Sequence, residues 1–143
     1  MSDVHDPATR RRNMAAIRSR DTAPELKLRK ELHGLGYRYR LHVKGLPGRP
    51  DIVLPRHRAI VFVHGCFFHM HQCHAFKWPK TRAEFWRQKI SENAARDKRT
   101  EVTLVEQGWR VGIVWECSLR KPRNGVAARL SKWLRLNRTR IEL

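Results

Sequence analysis

Two apolar runs four residues apart, Asp-Ile-Val-Leu at 51–54 and Ala-Ile-Val-Phe-Val at 59–63, constrain this chain more than any other feature. Each is too short and too uniformly apolar for an amphipathic helix, and each reads as a short buried strand. Pro55-Arg56-His57-Arg58 between them has hairpin length. A third run, 109–115, arrives after a helical stretch that opens near Thr81 and carries Trp86, Ile90, Ala94 and Asp97 along one side. A crossover of that length predicts that 109–115 pairs parallel to 59–63, giving a mixed sheet with helices packed on it.

The flanks extend this α/β reading. Thr22 as N-cap, Pro24 in the first turn and Glu25 three residues after the cap make a capping box. Leu28, Leu32 and Leu35 would then line one face of a helix ended by Gly34 or Gly36. Residues 37–43 alternate apolar with polar and read as a strand with one wet face. Thr81 and Glu84 form a second capping box, and the tail from Val126, with Leu130, Trp133 and Leu134, predicts a closing basic helix. The expected division is a basic arm over 1–21, with Arg10, Arg11, Arg12, Arg18 and Arg20, and a single domain over 22–143.

Charge narrows the partner. Lys and Arg number 31 against 13 Asp and Glu, a formal net of +18, so a polyanion, and nucleic acid first, is the expected ligand. Charge draws DNA and RNA alike. No apolar run approaches bilayer length and the first residues carry no secretory pattern, so a membrane partner is not expected and a reducing cytosol is.

Two groups of residues carry chemistry. Asp51 opens a buried strand beside Arg49, where a carboxylate can hold Mg²⁺ against a phosphodiester or simply cap a turn. Where many nucleases place an acid-x-Lys triplet on the next strand, this chain has Phe62-Val63-His64, which leaves Glu25 as candidate second acid and His64 for the lysine's electrostatic work or a proton transfer. Segment 64–74 holds four of the eight histidines and two of the three cysteines. His71, Cys73 and Cys117, with Asp97 from the long helix, are a candidate Zn²⁺ tetrahedron that would staple an otherwise irregular loop. Phe67, Phe68 and His69 are either a wedge for stacked bases or core.

In order and without evident gaps from residue 3 to about 120, the chain closely resembles the very short patch repair endonucleases. The resemblance is carried by the opening Asp-Val-His-Asp, Asn13-Met14, Arg20-Asp21-Thr22-Ala23 with Glu25, Leu-Pro-Gly-Arg-Pro-Asp ending at Asp51, and His64-Gly65-Cys66-Phe67 with His69, His71 and Cys73. It continues through Thr81-Arg82, Glu84-Phe85-Trp86, Arg96-Asp97 and Ile113-Val114-Trp115-Glu116-Cys117. The resemblance implies a restriction-endonuclease-like core and a Mg²⁺-dependent endonuclease that nicks double-stranded DNA 5′ of the T in a T:G mismatch. Asp51 and the backbone carbonyl of Val63 would hold magnesium, Glu25 and His64 would orient its waters, and His69 would sit at the scissile phosphate. His71, Cys73, Asp97 and Cys117 would hold structural zinc. Phe67, Phe68 and His69 would intercalate beside the mismatch, with Met14 closing the opposite side and Lys89 and Asn93 near the recognised bases. A bacterial cytoplasmic, nucleoid-associated monomer is implied, working alongside a repair polymerase and mismatch-repair proteins. Val63 stands where the family commonly has Thr, and Phe68 where Trp is usual. A zinc-bound mismatch sensor without cleavage and a same-fold nuclease with another target are the alternatives.

Overall fold

The computed structural model describes residues 22–66, 69–71, 73 and 77–143. The expected arm over 1–21, and with it Met14, together with Phe67 and Phe68, lies outside the described residues.

Helix α1, Ala23–Gly34, starts as the sequence predicts: Thr22 Oγ1 accepts the Glu25 N–H at 3.3 Å. The reciprocal half of the capping box does not form, because the Glu25 carboxylate turns to Arg29 instead. The C-terminus closes with Gly36 N–H on the His33 carbonyl (3.0 Å) and Tyr37 N–H on that of Leu32 (3.1 Å), a left-handed stop that Gly36 permits at φ +97°. Leu35, expected on the apolar face, therefore falls at the cap and is exposed, while Leu28 and Leu32 are buried.

Strands β1 (Arg40–Leu41), β2 (Ile52–Leu54), β3 (Ala59–His64), β4 (Arg110–Trp115) and β5 (Arg140–Glu142) form one mixed sheet in that order. β1–β2 and β2–β3 are antiparallel; β3–β4 and β4–β5 are parallel. The hairpin link is a single 3₁₀ turn, Pro55–His57, closed by Arg58 at φ 50°. The expected strand over 37–43 shrinks to two exposed residues because Tyr37 turns inward, its hydroxyl 2.7 Å from Ser131 Oγ. Helix α2, Ala83–Glu106, is the crossover between β3 and β4. Its N-cap is Arg82 in the left-handed region with no side-chain cap bond, so the Thr81/Glu84 capping box does not form. A short helix α3, Glu116–Leu119, leads to α4, Val126–Arg135, whose Val126, Leu130, Trp133 and Leu134 are all buried. β5 and α3 were not anticipated: three residues starting at Arg140 give no period to read.

Alternation along the strands divides the core. Ile52, Leu54, Ala59, Val61 and Val63 face Leu28 and Leu32 of α1 and Leu130 and Trp133 of α4. Val53, Ile60, Phe62, Val111 and Ile113 face Leu104 of α2. The protein is thus a mixed α/β sandwich, with α1 and α4 on one face of a five-stranded sheet and α2 on the other. Gly48 fixes the loop that delivers Asp51: a Cβ there would lie 2.5 Å from Thr100 on α2 and 3.2 Å from the Phe62 ring, at φ +75°.

Candidate active site

Asp51 precedes β2, and its Oδ2 accepts the Val63 N–H at 2.7 Å across to β3. The carboxyl is pushed up to about 6, chiefly by burial and further by nearby Glu25, against the Val63 N–H and the charges of His42 and Arg29. Glu25 is fully buried on α1; its Oε1 accepts from Arg29 Nη2 at 2.8 Å, and its Oε2 accepts from nothing among the described residues. Arg29 Nη2 also lies 3.2 Å from His42 Nε2. Two carboxylates, one desolvated and one with an orphaned buried oxygen, thus face the guanidinium of Arg29. That donor set fits a hard divalent cation.

His64 ends β3 and is buried; burial, and then the neighbouring His69, lower its pKa to about 3. Burial therefore favours the neutral, hydrogen-bonding imidazole over a lysine-like cation. Its ring stacks on His69, with centroids 3.9 Å apart and planes 5° from parallel. His69 Nδ1 is 2.6 Å from Asp97 Oδ2 on α2. Asp51, Val63, His64, His69 and Asp97 line one cavity of about 580 Å³, with Arg49, Arg96 and Lys98 among its walls. Asn93 also lines it, whereas Lys89, one turn earlier on α2, is an exposed side chain outside the lining.

A second cluster lies beside the first. Cys66, His71, Cys73 and Cys117 each bring a ligand atom within 4.8 Å of the others, and no disulfide joins the thiols. His71 Nδ1 is 3.5 Å from Cys117 Sγ. The loop folds back on itself to achieve this, with His71 N–H on the Cys66 carbonyl at 2.9 Å and Cys73 N–H on that of His71 at 2.8 Å. Burial pushes the Cys66 thiol up to about 12. Three thiols and one imidazole fit a closed tetrahedral zinc site, in which the metal would take the thiols as thiolates.

Here the geometry departs from the expected ligand set. Asp97 groups with His64 and His69, and Cys66 takes the fourth place beside His71, Cys73 and Cys117. The reason is local: the chain turns after β3, with His69 N–H on the Gly65 carbonyl at 3.2 Å, and sets Cys66 against Cys117 of α3, while Asp97 is engaged by His69. The signal in the sequence was the cysteine count, since a set using Cys73 and Cys117 left one thiol idle. Arg29 and His42, which back Asp51, carried no motif that could have found them.

Comparison with known proteins fits this arrangement. The family model "DNA mismatch endonuclease Vsr" matches residues 2–75. The DNA mismatch endonuclease Vsr of Escherichia coli K12 is 49% identical over 138 residues, covering 94% of this chain and 88% of that protein.

The chain belongs to the DNA mismatch endonuclease Vsr family.

The type II nicking enzymes V.XorIIP of Xanthomonas oryzae and V.NmeAIP of Neisseria meningitidis are also similar. The first is 50% identical over 119 residues (83% of this chain, 88% of that protein). The second is 41% identical over 120 (84% and 86%). In this Vsr-family chain, then, a cavity walled by carboxylates, imidazoles and arginines adjoins a cluster able to hold a soft metal.

Proposed function

We propose that this endonuclease nicks one strand of duplex DNA on the 5′ side of the T in a T:G mismatch left by deamination of 5-methylcytosine. The nick leaves 3′-hydroxyl and 5′-phosphate ends for a repair polymerase and ligase. The observation that carries the reading is the convergence of Asp51, His64 and the His69–Asp97 pair on one cavity that Arg49, Arg96 and Lys98 also line.

Asp51 and the carbonyl of Val63 hold magnesium; Val63's N–H already faces Asp51, and the two polar groups of one strand residue leave on the same side. Magnesium, when bound, neutralises charge on the phosphate and lowers the pKa of its water. Glu25 Oε2 and the neutral His64 ring accept or donate to the waters around that site. Asp97 accepts from His69 Nδ1 and so fixes the tautomer that leaves Nε2 as a base or hydrogen-bond partner at the scissile phosphate. Arg49, Arg96 and Lys98 attract the phosphates. Cys66, His71, Cys73 and Cys117 hold zinc as a structural ion.

The sheet, with α1 and α4 on one face and α2 on the other, acts as a restriction-endonuclease-like core over 22–143, preceded by a basic DNA-binding arm over 1–21. By the family resemblance, Phe67, Phe68 and His69 wedge beside the mismatch, Met14 closes the other side, and Lys89 and Asn93 approach the bases. The enzyme works as a monomer in the bacterial cytoplasm. Among the described residues no helix is long and apolar enough to cross a membrane.

The test is one end-labelled duplex with a central T:G mismatch in randomised flanks, beside its T:A counterpart, with Mg²⁺ and then EDTA. The expected result is a metal-dependent nick 5′ of the T, absent from T:A. Equal cutting of both overturns the mismatch specificity, and tight binding without cutting leaves a sensor.

A further inference from the structure

Past residue 120 the chain returns through β5 to the histidines of the cavity. Trp115, the last residue of β4, stacks on His71 of the thiol cluster, with centroids 4.1 Å apart and planes 6° from parallel. The same indole stands edge-on to His64 at 5.4 Å and to His69 at 6.5 Å, both at 65°. One ring therefore forms the wall between the two clusters. The indole's single polar atom is also held: Nε1 donates to Glu142 Oε2 of β5 at 2.9 Å. Arg140 donates to Glu142 Oε1 at 2.7 Å from the far side and also pairs with Glu101, one helical turn beyond Asp97 on α2. Parallel register puts Glu142 opposite Ile113, two residues before Trp115, which is what brings the carboxylate under the indole.

We propose that Glu142 and Trp115 are positioning residues for the proposed hydrolysis. Glu142 fixes the plane of the Trp115 ring, and the ring in turn fixes the stacked His64–His69 pair at the phosphate. Both residues line the cavity and act through the histidines. Arg140 completes the bracket by tying β5 to the helix that carries Asp97. This inference rests on the hydrolytic role of His69 given above, and it assigns work to a strand that the sequence left unread.

The experiment uses the full-length zinc-loaded protein. Glu142→Ala removes the acceptor, Trp115→Phe keeps a ring and removes the donor, and Glu142→Gln retains an amide oxygen that can accept. In single-turnover nicking of the T:G duplex, Glu142→Ala and Trp115→Phe should each slow the rate about tenfold, with KM and zinc content unchanged. The double variant should be no slower than either, because the two share one interaction. Glu142→Gln should stay within about threefold of the parent. On the DNA-free protein, the imidazole proton resonances of His64, His69 and His71 should shift in Glu142→Ala and return in Glu142→Gln. Unmoved resonances in Glu142→Ala, or losses that multiply in the double variant, overturn the proposal. Should the parent leave T:G duplex uncut while the resonances move as expected, the hydrolytic reading fails and the positioning of the histidines stands.

Discussion

The two clusters on either side of Trp115 both draw on the segment after β3, yet their chemistry is opposite. Asp51, His64, His69 and Asp97 offer carboxylate oxygen and imidazole nitrogen to an open cavity. Cys66, His71, Cys73 and Cys117 offer mostly sulfur and close on one another. Hard donors that leave room for water suit a reactive cation; soft donors that leave none suit a staple. Histidine alone does not tell the two apart, since each cluster draws on it. The difference lies in what the second partner is: Asp97 for His69, thiols for His71.

Substitutions should separate the clusters by kind of damage. Asp51→Ala should cost the most activity, about a thousandfold or more in nicking rate, with mismatched duplex still bound in a mobility-shift titration. Retained cutting would remove Asp51 from the cation site. His69→Ala should cost about a hundredfold to ten-thousandfold, read in the same assay under saturating magnesium.

The sharper test pairs Cys66→Ser with Asp97→Asn. The cysteine change should lower zinc content by elemental analysis and reduce the melting temperature by ~10 °C, about 3 kcal/mol for a domain of this size. The aspartate change should leave zinc and melting intact and slow nicking about ten- to a hundredfold by releasing the His69 ring. A zinc-free Asp97→Asn protein would restore the ligand set expected from sequence and break the comparison.

The smallest effect is in pH. Asp51 is raised above its ordinary value to about 6, so the ion-free fold favours the protonated carboxyl. Its charge weakens the fold as pH rises through about 6, and that burden is relieved toward the unfolded value of 3.8. The proposed magnesium would bind the ionised form and pull the other way. Half-saturating magnesium in the nicking assay should therefore climb about tenfold per pH unit below 6 and level off above it. A flat response from pH 5 to 7 would show that Asp51 is already ionised.

Much of this was readable from the chain. Uniform apolar runs gave β2 and β3, the long crossover gave the parallel β3–β4 pair, and Thr22 gave the start of α1. What was lost had a physical cause in each case. Thr81 and Glu84 matched a capping pattern, but Arg82 took the cap position in a left-handed turn, which no local propensity announces. Asp97 looked available to zinc because helical period says which face a residue occupies, not which partner waits there; His69 was the nearer one. Lys89 and Asn93 share a face of α2 by spacing, yet only Asn93 reaches the cavity wall. β5 was invisible because its pairing is supplied by β4, a long-range partner that three residues cannot encode alone.

The crossover also sets when the enzyme can exist at all. Asp51, His64 and Cys66 belong to the β2–β3 hairpin, while Asp97, Trp115 and Cys117 arrive only after 24 residues of α2 have closed the loop onto β3. Parallel pairing across so long a connection is among the slower events in folding, because chain entropy is lost before contacts return it. Neither cluster is complete until the crossover is in place, because one takes Asp97 from α2 and the other Cys117 from beyond it. A partly folded chain would hold neither the staple nor the His69–Asp97 pair, so a nuclease in the making would be unable to damage the genome that it is built to mend.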